Sequence, residues 1–75
     1  MSRLDELAIG RRARVTTVDG CDDVGVRLLE MGLTPGVEVK LLGVAPLGDP
    51  LELELRGYRL SVRKSEAARV AIELL

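Results

Sequence analysis

Leu28-Leu29-Glu30-Met31-Gly32-Leu33-Thr34-Pro35-Gly36 decides how this chain folds, because it ends a helix and opens a sheet in one short run. Gly32 follows an apolar helical stretch, where a glycine can take the left-handed conformation that closes a helix without the cost of a Cβ atom. Leu33 then falls where it can fold back onto Leu28 or Leu29, the apolar contact of a Schellman end. Pro35-Gly36 reads as a type II turn, with proline fixing φ at the second position and glycine supplying positive φ at the third. Upstream, Asp22 or Asp23 is placed to cap the helix by accepting a bond from an orphan N–H of its first turn. Val24, Leu28 and Met31 recur at i, i+4 and i+7 as one apolar stripe, with Leu29 beside it. Gly25 is an odd choice there, costing about 1 kcal/mol relative to alanine unless another segment packs closely against it.

Strands are expected on both sides of this run. Before it, Arg11 to Val18 is β-branched and partly alternating, with Ala13, Val15 and Thr17 expected on one face and Arg12, Arg14 and Thr16 on the other. The preceding Leu4-Asp5-Glu6-Leu7-Ala8-Ile9-Gly10 is a lead-in whose apolar residues need a core to join. After the turn, Val37, Val39 and Leu41 alternate with Glu38 and Lys40. A second Pro/Gly corner, Ala45-Pro46-Leu47-Gly48-Asp49-Pro50, precedes the cleanest period-2 pattern in the chain, Leu51, Leu53 and Leu55 against Glu52, Glu54 and Arg56. Gly57 marks a tight reversal into Tyr58, Leu60 and Val62. Lys64 to Ala68 reads as a short turn, and Val70, Ile72 and Leu74 as the inward residues of a last strand. Five short strands and one helix cannot bury their apolar faces in a flat sheet. The expected fold is all-β, a small SH3-like, partly open antiparallel barrel with one short α-helix, and an OB-like barrel is the runner-up.

Composition narrows the function. Residues 1–75 make one domain near the lower size limit for independent folding. There is no Trp or Phe and only Tyr58, so fourteen Leu and nine Val must build an aliphatic core. A net charge of −1, from 11 basic and 12 acidic residues, argues against a polyanion as the main partner. Cys21 is the only cysteine, which fits a reducing, cytoplasmic setting. No apolar stretch approaches the roughly 20 residues that span a bilayer, and no signal-peptide pattern is present.

The chemistry points away from catalysis. With no His in the chain, a His general base and His-activated nucleophiles are excluded. Asp22 and Asp23 beside Cys21 would raise its pKa, so a structural or incidental thiol is the better reading. One Cys without His cannot build the usual tetrahedral zinc site, so no metal residues and no cofactor are assigned. Glu52 and Glu54 share a strand face, which reads as solvated surface rather than a cation site. Arg12, Arg14, Arg59 and Arg63 could line one outer sheet surface and serve RNA, but interleaved acids and the lack of stacking aromatics besides Tyr58 oppose it. Protein binding survives. Leu47 sits at a loop tip where nothing local demands a large apolar side chain, Leu42 and Val44 leave the inward register, and Val26 and Leu29 flank the helix stripe. Such residues either fill barrel ends and stand singly exposed, or cluster as a partner patch.

The same blocks, Arg27 to Leu33, Pro35-Gly36 and Ala45 to Pro50 in that order, resemble the FeoA family, small accessory proteins of bacterial ferrous iron uptake. The likeness extends from the Leu7-Ile9-Gly10 lead-in to the Val70 strand. It implies an SH3-like barrel that is no enzyme and that works by binding and modulating FeoB, a membrane permease with a cytoplasmic GTPase domain. Contact would be made through that domain or through the membrane part, with membrane association only through FeoB, no nucleic acid, and weak self-association left open. Carried onto this chain, Leu28, Leu29 and Leu47 are the candidate partner-binding residues. Gly25 departs from the family pattern, in which a basic or other helix-forming residue is common. The domain also resembles the C-terminal module of DtxR-type iron-dependent repressors. Those need a DNA-binding domain for which this chain, beginning at Met1, leaves no room, so that reading is a distant alternative, as is a nucleic-acid-binding small β-barrel.

Overall fold

The computed structural model describes residues 2–20 and 22–75. Its elements are β1 (Ser2–Arg3), a 3-10 turn (Leu4–Glu6), β2 (Arg12–Val18), α1 (Asp23–Glu30), β3 (Glu38–Val44), β4 (Leu51–Leu55), β5 (Tyr58–Val62), α2 (Lys64–Ala67) and β6 (Val70–Leu74). The six strands form one sheet in the order β1-β6-β2-β3-β4-β5, every pairing antiparallel. It curls around a single aliphatic core to which every strand except β1 contributes. The end strands β1 and β5 are not hydrogen-bonded neighbours, so the barrel is partly open.

The helix end forms as the sequence dictates. The Asp22 carboxylate caps α1 by accepting the Gly25 N–H at 3.1 Å. At the other end Gly32 has φ +107°. The Leu33 N–H donates to the Leu28 carbonyl at 3.1 Å and the Gly32 N–H to the Leu29 carbonyl at 3.0 Å, the two bonds of a Schellman motif. Leu28 and Leu33 are both fully buried, each worth about 1.5–3 kcal/mol in removed apolar surface. Gly36 has φ +93° and the Val37 N–H donates to the Thr34 carbonyl at 3.1 Å, a type II geometry that sends the chain into β3.

Gly25 has a packing reason. A Cβ there would lie 2.4 Å from the Gly20 carbonyl oxygen, so α1 can rest on the Asp19-Gly20 turn only with glycine at this position.

Several expectations need correction. The lead-in adds β1 as a sixth strand, with Leu4 and Leu7 in the core but Ile9 exposed. In β2, Val15 pairs with Ile72 and Thr17 with Ala71, so Thr16 is an extra, bulged residue whose hydroxyl donates to the Ala71 carbonyl at 3.1 Å. The bulge reverses the alternation, leaving Thr17 exposed and turning Val18 onto the core. A second bulge at Leu42 shifts β3 against β4. Leu74 is exposed, and Ala71 is buried in its stead with Val70 and Ile72. The expected turn after β5 is α2, whose first turn is closed by the Glu66 carboxylate accepting the Arg63 N–H at 3.1 Å.

Candidate functional site

The Ala45–Pro50 corner is a tight, tied loop. The Gly48 N–H donates to the Ala45 carbonyl at 2.7 Å with Gly48 at φ +87°, and the Ala45 N–H donates to the Pro50 carbonyl at 3.0 Å. At its tip Leu47 is 96% exposed, the most exposed of the large apolar residues described. The loop is also anchored from below, because the Asp49 carboxylate accepts the Lys64 N–H at the start of α2 at 2.8 Å.

The other two sequence candidates part company. Leu29 is 40% exposed and shares the outer face of α1 with exposed Val26, one helical turn away. Leu28 is 0% exposed, enclosed in the core, and has no surface to offer a partner in this conformation. Its carbonyl and side chain serve the helix end instead. Val44 is exposed and Leu42 half-buried, both close in sequence to the loop that carries Leu47.

A small polar frame joins loop and helix. Arg27 of α1 forms an ion pair with Glu66 of α2, through Arg27 Nη2 and Glu66 Oε2. Glu66 is 8% exposed and its other oxygen holds the Arg63 N–H. Beyond it Arg69 Nη1 lies 2.6 Å from Asp22 Oδ1, at the cap of α1. The Arg69 hydrogen bond, helped by the Gly25 N–H, holds the Asp22 carboxyl below its ordinary value, and Asp22 in turn raises Arg69. At the opposite end of α1, the Tyr58 hydroxyl donates to the Met31 carbonyl at 2.5 Å. The helix and the loop are therefore two exposed apolar features braced through α2.

Sequence reasoning missed this frame. It placed Arg63 on the outer sheet surface with Arg12, Arg14 and Arg59, whereas Arg63 caps α2 and lines the cleft between α2 and α1. On the sheet itself Arg14 lies opposite Glu38 and Glu73, and Arg59 opposite Glu54, so the basic residues there alternate with acids. That pattern provides no continuous basic track for a phosphate backbone. Among the described residues no group of three His, Cys, Asp or Glu side chains is gathered to hold a metal ion. Nor, among those residues, is any helix long and apolar enough to cross a membrane. Cys21 lies outside the described residues.

The FeoA domain model matches residues 2–74. A Porphyromonas gingivalis protein, the Fe(2+) transport protein A/Fe(2+) transporter FeoB fusion protein, is 36% identical over 73 residues, which are 97% of this chain and 9% of that one. The chain thus spans about a tenth of that curated relative. The solution structure of the FeoA protein from Chlorobium tepidum matches with a TM-score of 0.90 at 40% identity, over 99% of this chain and 70% of that one. The crystal structure of Stenotrophomonas maltophilia FeoA, a zinc complex described as an SH3 domain protein, matches with a TM-score of 0.84 at 32% identity, over 97% and 91% of the two chains. The barrel is accordingly SH3-like, and the OB-like alternative gives way.

Proposed function

The chain belongs to the FeoA family, and on that premise we propose that it is a cytoplasmic accessory protein of ferrous iron uptake that binds the FeoB permease and modulates it. The observation that carries this reading is the Porphyromonas gingivalis relative, which is named as a fusion of transport protein A with FeoB. A tether of that kind keeps two modules at high effective concentration, which serves modules that work in contact. On the side of this chain, the support is the Leu47 loop, a braced apolar projection that stands almost fully exposed. The protein acts by contact, with Leu47 and Leu29 as contact residues and Leu28 as the residue that holds the helix in place.

Titration calorimetry against FeoB from the same genome tests this, using the isolated cytoplasmic GTPase domain and the full-length permease in detergent, each with and without guanine nucleotide. Saturable binding that changes with nucleotide is the expected result. Absence of binding to both preparations in every nucleotide state would refute the adaptor reading.

A further inference from the structure

Between α1 and α2 lies an open cleft of about 360 Å³ lined by Val24, Arg27, Arg63, Ser65, Glu66 and Arg69. Half of that lining is arginine. Arg27 is held by Glu66 and Arg69 by Asp22, each through a single contact, which leaves most of the five N–H donors of each guanidinium available. Arg63 has no carboxylate partner among the described residues. Three guanidinium groups and one carboxylate, Glu66, line the cleft; both Glu66 oxygens are engaged within the protein, and Asp22 and Asp19 act on Arg69 from outside the lining. Asp49, whose carboxylate accepts the Lys64 backbone N–H, lines the adjoining cleft beside Arg63. The lining of the cleft therefore carries more guanidinium than carboxylate, unlike the outer sheet face, where acids and bases alternate.

Arg63 also lines a second shallow cleft with Asp49 and Pro50, at the base of the loop that carries Leu47. Arg63 is thus shared between the basic cleft and the base of the loop that carries the exposed leucine. We propose that this arginine-lined cleft receives a carboxylate side chain from an acidic segment of the partner protein, with the Arg63 guanidinium as its main contact and Leu47 covered by a neighbouring apolar residue. The proposal rests on the adaptor reading for the partner being a protein, and it adds the chemistry of the docking segment. Guanidinium groups bind carboxylates bidentately, and Arg27 and Arg69, already held by their own ion pairs, lose little freedom on binding. An acidic peptide fits better than RNA because the cleft is local, adjoins an apolar knob and has no aromatic ring in its lining on which a base could stack.

The test is amide and arginine side-chain NMR on the intact chain at low salt, titrated with a blocked glutamate-rich peptide, a blocked lysine-rich peptide, inorganic phosphate and single-stranded oligouridylate. Expected are saturable shifts at Arg27, Arg63, Ser65 and Arg69 with the glutamate peptide alone, weakened by salt near physiological strength. Arg63→Gln should lower that affinity about tenfold, the loss expected for one charge-assisted contact, with no change in Tm. No saturable shift, shifts centred on Arg12 and Arg59, an unchanged affinity in Arg63→Gln, or tighter binding of oligouridylate or phosphate would each overturn the proposal. The FeoB titration separates the two readings. Undiminished FeoB binding by Arg63→Gln sinks only the cleft, whereas peptide binding without FeoB binding sinks only the adaptor.

Discussion

Replacing Gly25 with alanine exposes the contact that fixes α1 on the barrel. In an unconstrained helix the change is favourable by about 1 kcal/mol, because alanine is the best helix former and glycine among the worst. Here the added Cβ would sit 2.4 Å from the Gly20 carbonyl oxygen and 3.1 Å from its carbon. Carbon and oxygen approach to about 3.3–3.6 Å even in favourable contacts, so the helix and the turn must separate by about 1 Å. Neither side yields easily, since the obstacle is backbone. The Asp19 N–H donates to the Arg69 carbonyl at 2.7 Å, and the Asp22 cap ties the helix start to Arg69. Overpacking of this sort costs about 1–3 kcal/mol. With the helical gain set against the upper part of that range, the net loss is about 1–2 kcal/mol, or about 5–15 °C in Tm for a domain of this size. Gly43→Ala is the matched control. A Cβ there meets nothing within 4 Å and no left-handed φ is required, so alanine in the strand should be neutral or stabilising by about 0.5–1 kcal/mol. Thermal and urea denaturation followed by circular dichroism compare the two variants. A Gly25→Ala protein as stable as wild type or more so, with unchanged m, would refute the packing argument.

Four further outcomes are expected. Leu53→Ala removes a fully buried side chain paired across strands with Leu41 and Leu60, and should cost about 2–5 kcal/mol as a core cavity, measured by urea denaturation. Tyr58→Phe deletes the hydroxyl that clamps the Met31 carbonyl at the helix end, for a loss of about 0.5–1.5 kcal/mol in the same assay. Asp22→Asn keeps a capping side chain but removes the charge that faces Arg69. Because Asp22 titrates below its ordinary value when folded, its contribution is complete above the ordinary carboxylate range and is lost as pH falls through the lowered value. The gap in denaturation midpoint between wild type and Asp22→Asn should therefore close on acidification, and a pH-independent gap would contradict the ion-pair account. Leu47→Asp should leave Tm unchanged while weakening FeoB binding in the calorimeter; a large fall in Tm would mean that Leu47 is packed rather than presented.

What could be read from the sequence is what local backbone chemistry decides. The Asp22 cap, the Gly32–Leu33 helix end, the Pro35-Gly36 turn and the inward faces of β3 and β4 follow from residue type and spacing, and the structure contains each of them. Most of the failures are non-local. Thr16 is bulged because its hydroxyl finds the Ala71 carbonyl on a strand more than fifty residues away, and one extra residue inverts every side chain beyond it. Gly25 looked unfavourable because the turn it touches is visible only in three dimensions. The split between Leu28 and Leu29 was partly available, since Leu28 lies on the i, i+4, i+7 stripe and Leu29 beside it. Its place beside the stripe already set Leu29 apart, whereas only the resemblance to a family implied a contact at Leu28, which periodicity alone keeps inside.

The arginine cleft was out of reach for the same reason, and its construction shows how a chain this small can present a defined surface. Arg27 lies in α1 and Arg63 and Arg69 flank α2, and read along the sequence each looks like ordinary surface charge. What gathers them is α2, a four-residue helix that the sequence offered only as a turn. Glu66 closes the first turn of α2 and pairs with Arg27, while Asp49 reaches from the Leu47 loop to the Lys64 N–H. One helical turn therefore braces both α1 and the loop. An isolated exposed ion pair contributes little to stability. Glu66 is different, because it is buried and hydrogen-bonded on both oxygens, so its removal would free α1, α2 and Arg63 together. The value of this network lies in position: it fixes the helix that carries Leu29 and the loop that carries Leu47 on a barrel whose own core requires neither.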